Sequence, residues 1–352
     1  MHLRKIYTLA AVLLFAGMAS AQNLPKFSGL FFGDYYYVIN AANLGVASTS
    51  NYSPSGGLQK AMQAFDYRRI YLTTDYDIAQ DFSARFRLES DPSTSNFPTA
   101  TGTSNGKLSV MVKDAFINWK NVTDGANIII GLQGTPEINM AEGIFGYRSL
   151  EKTIQDLHGI SSSRDLGISY NQKFSDAFTA GLLVGNNSGN SALSPTTSKY
   201  KAAYLYLQIN PVKQFTILLN GQYNGTGVSV FNRTGDVIVN YANDMFSLGA
   251  QYFLNGINGA GGSTTKKNGL SVNGWVGLID NLRLVARYDM YTPDADNKNT
   301  VAGTSVQNLV VGALDWSVRK NVHLMPNVEY VAYGLSGSKA DVIGRATFFI
   351  TF

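Results

Sequence analysis

In the stretch FSARFRLESD, residues 82–91, apolar and polar side chains change places at every step. Phe82, Ala84, Phe86 and Leu88 share one face of an extended strand; Ser83, Arg85, Arg87, Glu89 and Asp91 share the other. A soluble sheet would turn such a charged face to water. A membrane barrel would turn the apolar face to lipid and the charged face to a wet interior. The alternation alone fits both, so strand number and connections must decide.

Similar alternation predicts strands at 27–38, 64–77, 82–91, 108–119, 127–134, 165–172, 177–186, 200–210 and 213–224, then at 244–255, 269–279, 282–291, 306–318, 321–333 and 340–352. Most are close to the roughly 9–11 residues with which a tilted strand crosses a bilayer. Short connections such as KFSD, PV, IDN and RK alternate with intervals of a dozen residues or more. Tight turns at one end and long loops at the other belong to transmembrane barrels. Both ends of the mature chain should then lie at the tight-turn end, which requires an even count. A further strand is expected between 224 and 244, where Val228, Val230, Val237 and Val239 alternate, making sixteen. The final strand, RATFFITF, runs to the last residue with Phe348, Ile350 and Phe352 on one face and Arg345, Thr347, Phe349 and Thr351 on the other. A strand like that would be a sticky free edge unless both sides were paired, and a closed ring pairs it with the first strand. The expected fold is all-β, a 16-stranded antiparallel transmembrane β-barrel.

Composition agrees. The chain has 35 glycines, 20 tyrosines and 19 phenylalanines, with only 15% charged residues, a texture of strands and turns. It has no cysteine and three histidines, which excludes a disulfide framework and a thiolate metal site and leaves little for a histidine metal centre. No cofactor or metal is expected. The first 21 residues combine Arg4 and Lys5, an apolar run and Ala19-Ser20-Ala21, the pattern of a cleaved signal peptide, so the barrel domain is expected at 22–352. Without Arg4 and Lys5 the charges nearly balance, which does not suggest nucleic acid. Eight aromatic residues near strand ends, among them Tyr76, Phe82, Trp119, Tyr170, Phe215 and Tyr252, with Trp316 and Phe352, would form interfacial girdles.

The segment from Thr135 to Arg164 breaks the alternation. Ser149 is placed to cap a short helix through His158, with Leu150, Ile154 and Leu157 at helical spacing. So long a loop with its own apolar residues is expected to fold inward and constrict the channel. It would bring Glu137, Glu142, Arg148, Glu151, Lys152 and Asp156 opposite an inward-facing wall of Arg69, Arg85, Arg87, Arg283, Arg287 and Arg345. Glu89, Asp114 and Asp289 would line the pore with them; Asp75, Asp91, Glu329 and Asp341 also face inward. These charges either set a field that selects solutes or pair with each other.

Several stretches, in order, resemble the porin family that includes the phosphate-selective O and P porins: FDYRRIYLTTDYDI, FSARFRLESD, KDAFINW, IIGLQGTPEI, SRDLGISY, RLVARYDMY, NVHLMPNVEYVAY and the terminal Phe352. Arg68-Arg69, Asp114-Ala115 and Gly131 with Gln133 and Pro136 match best. The resemblance spans nearly the whole mature chain. It implies a sixteen-stranded outer-membrane diffusion channel for small hydrophilic solutes or ions, usually homotrimeric, with its third loop folded inward. The chain departs from the phosphate-selective pattern, since its third loop sets only Arg148 and Lys152 against four acids; a general porin is expected. The last strand, ending in Phe352, is the expected contact with the barrel-assembly machinery, and outer-membrane lipid the expected surroundings. The rivals are a closed structural or adhesive barrel and a rim hydrolase using His158 with Ser161, Ser162 or Ser163.

Overall fold

The computed structural model describes residues 24–42, 58–91, 109–190 and 199–352. The expected signal peptide, 1–21, lies outside them. Sixteen strands follow one another: β1 (Lys26–Asn40), β2 (Gln63–Asp77), β3 (Phe82–Ser90), β4 (Met111–Lys120), β5 (Ala126–Gly134), β6 (Arg164–Ser175), β7 (Phe178–Gly185) and β8 (Ala202–Val212), then β9 (Phe215–Gly227), β10 (Val230–Ala242), β11 (Phe246–Asn258), β12 (Thr264–Ile279), β13 (Leu282–Thr292), β14 (Gln307–Arg319), β15 (Val322–Tyr333) and β16 (Asp341–Thr351). Each pairs antiparallel with its sequence neighbour, and β1 pairs with β16, so the sheet is a closed barrel. Closure leaves no free edge strand, so each of the sixteen has a hydrogen-bonded neighbour on both sides.

The expected sixteenth strand is β10, thirteen residues long. The alternating loop lengths hold only in part: residues 228–229 join β9 to β10, and 259–263 join β11 to β12. Here the strands run for 13 to 16 residues, and pairing takes up chain that would otherwise form loop.

The period of two decides which side chain meets what. Along β11, Leu248, Tyr252 and Leu254 stand exposed on the outer face, while Gln251, Phe253 and Asn255 are buried on the inner one. Trp119, Tyr170, Tyr252, Trp316 and Phe352 of the expected girdle are exposed on the outer face, and Phe82 stacks on Trp119 at 5.5 Å. At the seam, Gly29 and Phe352 exchange backbone hydrogen bonds of 2.8 and 3.0 Å. The Phe352 ring lies across Gly29 so closely that a Cβ there would come within 2.2 Å of it.

Two β-bulges break the alternation where charge is densest. Phe32 pairs with Arg69 and Gly33 with Tyr67, so Arg68 is the extra residue in β2. Arg87 pairs with Asp114 and Leu88 with Val112, so Lys113 is the extra residue in β4. A bulge re-aims one side chain; here adjacent Arg68 and Arg69 both reach acids on the inner face, and adjacent Lys113 and Asp114 both join ion pairs there, with Glu89 and with Arg87.

Candidate functional site

Between β5 and β6 the chain forms α1 (Pro136–Phe145) and a single turn, α2 (Ile154–Leu157). The helix expected from Ser149 to His158 is therefore reduced to that turn, and the longer helix lies earlier. Its determinants are local. Pro136 opens the first turn, where its missing N–H costs nothing, and Gly146 ends it in the left-handed conformation, φ 73°. Leu150, Ile154 and Leu157 do share a buried fate, though not on one helix.

Apolar side chains of this segment cluster with buried side chains of strands around much of the ring. Leu157 joins Tyr36 and Val38 of β1, Leu309 and Val311 of β14, Val331 of β15 and Ile343 of β16. Tyr147 and Leu150 join Val285, Ala313 and Met325 of β13, β14 and β15. Ile154 and Ile160 meet Phe253 and Tyr291, and Ala141 meets Leu218 and Ile238. Burial of these side chains, at about 1.5–3 kcal/mol each, anchors the segment.

Ion pairs complete the attachment. Arg68 donates to the backbone carbonyls of Ser149 at 3.1 Å and Leu150 at 2.6 Å, and lies 3.4 Å from Glu151 and 3.5 Å from Asp34. Arg287 donates to the Lys152 carbonyl at 2.6 Å, grips Asp289 at 2.5 Å and lies over the Phe145 ring. Within the segment, Arg148 pairs with Glu142 at 2.8 Å and Asp156 at 3.5 Å.

The wall residues expected from sequence are largely paired as well. Glu89 is fully buried between Arg69 at 2.9 Å and Lys113 at 2.7 Å. Asp114 takes Arg87 at 3.1 Å and Arg164 at 2.5 Å; Arg85 takes Asp75 at 2.7 Å. Arg345 bridges Asp34 at 3.1 Å and Glu329 at 3.2 Å. Arg283 instead lies 3.9 Å over Trp275. Arg68, Lys113, Arg164 and Asp34 belong to the same network and were absent from the expected wall. The bulges account for Arg68 and Lys113, because strict alternation sends neighbouring residues to opposite faces. Of the two expectations for these charges, the observed contacts are those of mutual pairing.

Two segment residues differ from this pattern. Glu137 is 1% exposed, and burial, with Asp236 adding to it, pushes its carboxyl up to about 8. His158 stacks on Tyr291 with ring centroids 3.7 Å apart, and burial pushes it down to about 3, with Arg287 and Lys267 adding to the effect. So weak a base suits poorly the role of activating a serine. Ser161 donates to Gln222, Ser162 to the Arg164 carbonyl, and Ser163 receives Lys113 at 3.5 Å.

A cavity of about 290 Å³ opens between the segment and β1, β2 and β16. Phe32, Arg69, Tyr71, Glu142, Arg148 and Phe349 are among its lining residues.

No protein-family model and no curated protein sequence matches the chain. Solved structures do. An anion-selective porin from Comamonas acidovorans aligns over 94% of this chain and 99% of its own, at 11% identity and TM-score 0.63. OmpT, an outer membrane protein of Vibrio cholerae in its trimer form, aligns over 94% and 99%, at 13% identity and TM-score 0.62. The outer membrane channel DcaP of Acinetobacter baumannii aligns over 93% and 97%, at 15% identity and TM-score 0.62. At these identities the likeness is one of architecture: the chain has the sixteen-stranded barrel fold of outer-membrane porins.

Proposed function

We propose that this chain is an outer-membrane porin, a water-filled channel for passive diffusion of small hydrophilic solutes and ions, with the segment between β5 and β6 folded into the barrel as its constriction. The observation that carries this is the clustering of Ala141, Tyr147, Leu150, Ile154 and Leu157 with buried strand side chains around much of the ring, beside the cavity bounded by Arg69, Glu142 and Arg148. The short motifs shared with the O and P porins support the same reading. So do the anion-selective porin and the outer membrane channel that align over nearly the whole chain.

The exposed apolar outer rows suit outer-membrane lipid, reached by way of a cleaved signal peptide. Assembly as a homotrimer is supported by the trimeric OmpT structure, and recognition by the barrel-assembly machinery by the terminal aromatic strand. Arg69, Arg85, Arg87, Arg283, Arg287 and Arg345 with Glu89, Asp114 and Asp289 would line or brace the passage. Because the arginines nearest the cavity already hold carboxylates, selectivity should be weak and should not favour phosphate strongly. Reconstitution of the mature chain in a planar bilayer tests this. Stepwise conductance and a small reversal potential across a salt gradient are expected. A folded protein giving no steps would overturn the channel reading in favour of a closed barrel, for which the wide packing of the segment is the supporting observation.

A further inference from the structure

Buried acids that face the segment between β5 and β6 are, with few exceptions, matched by an arginine or lysine: Asp34, Glu89, Asp114, Glu151, Asp289 and Glu329 each have one within 3.5 Å. Asp165 and Asp341 lack one but are capped by backbone N–H groups and a tyrosyl hydroxyl. Glu137 and Asp236 stand apart. Among the described residues neither has an ion-pair partner, and neither carboxylate oxygen of Glu137 has a hydrogen-bond partner.

The two acids belong to one region of the wall, where Ala141 of α1 packs on Leu218 and Ile238 and Ser161 donates to Gln222. Asp236 on β10 pairs across the sheet with Asn220 on β9, whose Nδ2 donates to it at 2.9 Å, and Gln251 on β11 donates at 3.2 Å. The first turn of α1 brings Glu137 over this patch, near enough for Asp236 to act on it, with the Ser161 hydroxyl facing it. Gln155 of α2 comes down beside Asp236 and is wholly buried; its carboxamide leans toward that carboxylate, yet among the described residues neither Oε1 nor Nε2 makes a hydrogen bond of full geometry. The Oδ1 of Asn220 and the Nε2 of Gln222 are also buried without one. Orphaned polar atoms are rare in a folded interior, and a cluster of them marks an ordered water or ion.

The donor set says which. It contains carboxylate, carboxamide and hydroxyl oxygens and neither imidazole nor thiolate, so it suits a hard cation. Two carboxylates in a buried place repel, and a divalent charge balances both. A half-turn of a terminal carboxamide exchanges its oxygen and nitrogen, so Asn220 and Gln155 can each present oxygen. We propose that Glu137 and Asp236, completed by the carboxamide oxygens of Asn220 and Gln155, form a site for a divalent hard cation of the Ca²⁺ type that clamps the segment between β5 and β6 to the barrel wall. The site goes beyond the diffusion reading and does not depend on conduction.

The test uses the full mature chain refolded in detergent without lipopolysaccharide and stripped with chelator. Terbium titration at about pH 8 reads the site through tyrosine-sensitised luminescence, with Tyr204 near Glu137 as a sensitiser. One saturable site per chain is expected, displaced by Ca²⁺. E137Q and D236N should each weaken it at least about tenfold, and D294N in an exposed loop should leave it unchanged. The heat-modifiable gel shift reports that each variant is folded. Should either acid variant fail to fold, Gln155→Leu removes a ligand without touching the acids and should weaken binding as well. Absence of saturable binding overturns the proposal, as does binding indifferent to E137Q, D236N and Gln155→Leu. A pH response abolished by E137Q without any cation binding would assign the place to a shared proton and overturn it too.

Discussion

Arg68 is the tie between the bulge of β2 and the segment between β5 and β6, and Arg68→Ala should release that segment. The side chain is mostly buried, with 14% of it exposed, so solvent screens its contacts little. The substitution removes charge-assisted hydrogen bonds to the carbonyls of Ser149 and Leu150, at about 1.5–3 kcal/mol each. It also leaves Glu151 without its nearest counter-charge. Burial pushes the Glu151 carboxyl up, and Arg68, the Lys152 N–H, Arg345 and Arg148 together hold it below the usual range. The Asp34 carboxylate still keeps Arg345, so the wall itself should survive. Allowing for overlap between these contacts, the segment loses about 4 kcal/mol of attachment, roughly a thousandfold in the ratio of docked to undocked forms. Arg148 and Lys152 are trypsin sites within the segment, and trypsin is too large to enter the barrel. Nicking therefore requires the segment to leave its seat and tracks the undocked population when reseating is fast. Folded Arg68→Ala protein should be nicked there about a thousandfold faster than the parent, and its single-channel current should be larger or noisier. Equal nicking rates and equal currents would show that the apolar contacts alone hold the segment, and the account of Arg68 would be wrong.

Glu89→Gln leaves Arg69 and Lys113 buried against a neutral group; barrel stability should drop by about 3–5 kcal/mol in urea unfolding, and a loss below about 1 kcal/mol would count against the buried pairing. The folded pKa of Glu137, about 8, lies above the unfolded value of about 4.3. Its contribution is thus fully present below about pH 4 and is lost as pH rises toward 8, with a slope of at most about 1.4 kcal/mol per pH unit. In chelator, Glu137→Gln should flatten that slope in urea midpoints measured from acid to alkaline pH; an unchanged slope would place the titration elsewhere. Gly131 has φ 133°, and a Cβ there would come within 2.3 Å of the Ala115 carbonyl oxygen. Gly131→Ala should lower stability by about 1–3 kcal/mol, and an unshifted urea midpoint would mean that the β4–β5 pair relaxes freely.

Most of the strand plan was legible because a half-buried strand writes its two faces into alternate residues. Even β10, marked only by spaced valines, followed from the parity that closure demands. Two kinds of feature escaped. The bulges at Arg68 and Lys113 invert parity within one residue, and the residues there are ordinary for a strand, so the alternation that located β2 and β4 pointed their charges the wrong way. The helix was misplaced for a different reason. Leu150, Ile154 and Leu157 have helical spacing but are buried by contacts with several strands, whereas the stop signal of α1, Gly146 in the left-handed conformation, depends on backbone geometry. Pro136 and Glu137 were the available start signal for α1. The ion-pair partners across the barrel were not legible at all, since strand register and seating of the segment decide them together.

The carboxylate of Asp34 accepts Arg345 from the last strand and also lies 3.5 Å from Arg68. The first of these contacts spans 311 residues of chain. Every other strand pairing can form between near neighbours, but this one must wait until the final strand has been made. Until then the chain carries two open edges, able to pair with any other chain they meet. Because that one carboxylate meets both Arg345 at the seam and Arg68, which holds Ser149 and Leu150, closing the ring and seating the segment are linked through a single side chain. A chain shortened by a few residues at its C-terminus would lose the Gly29–Phe352 end of the seam and so weaken the closure that brings Arg345 to Asp34.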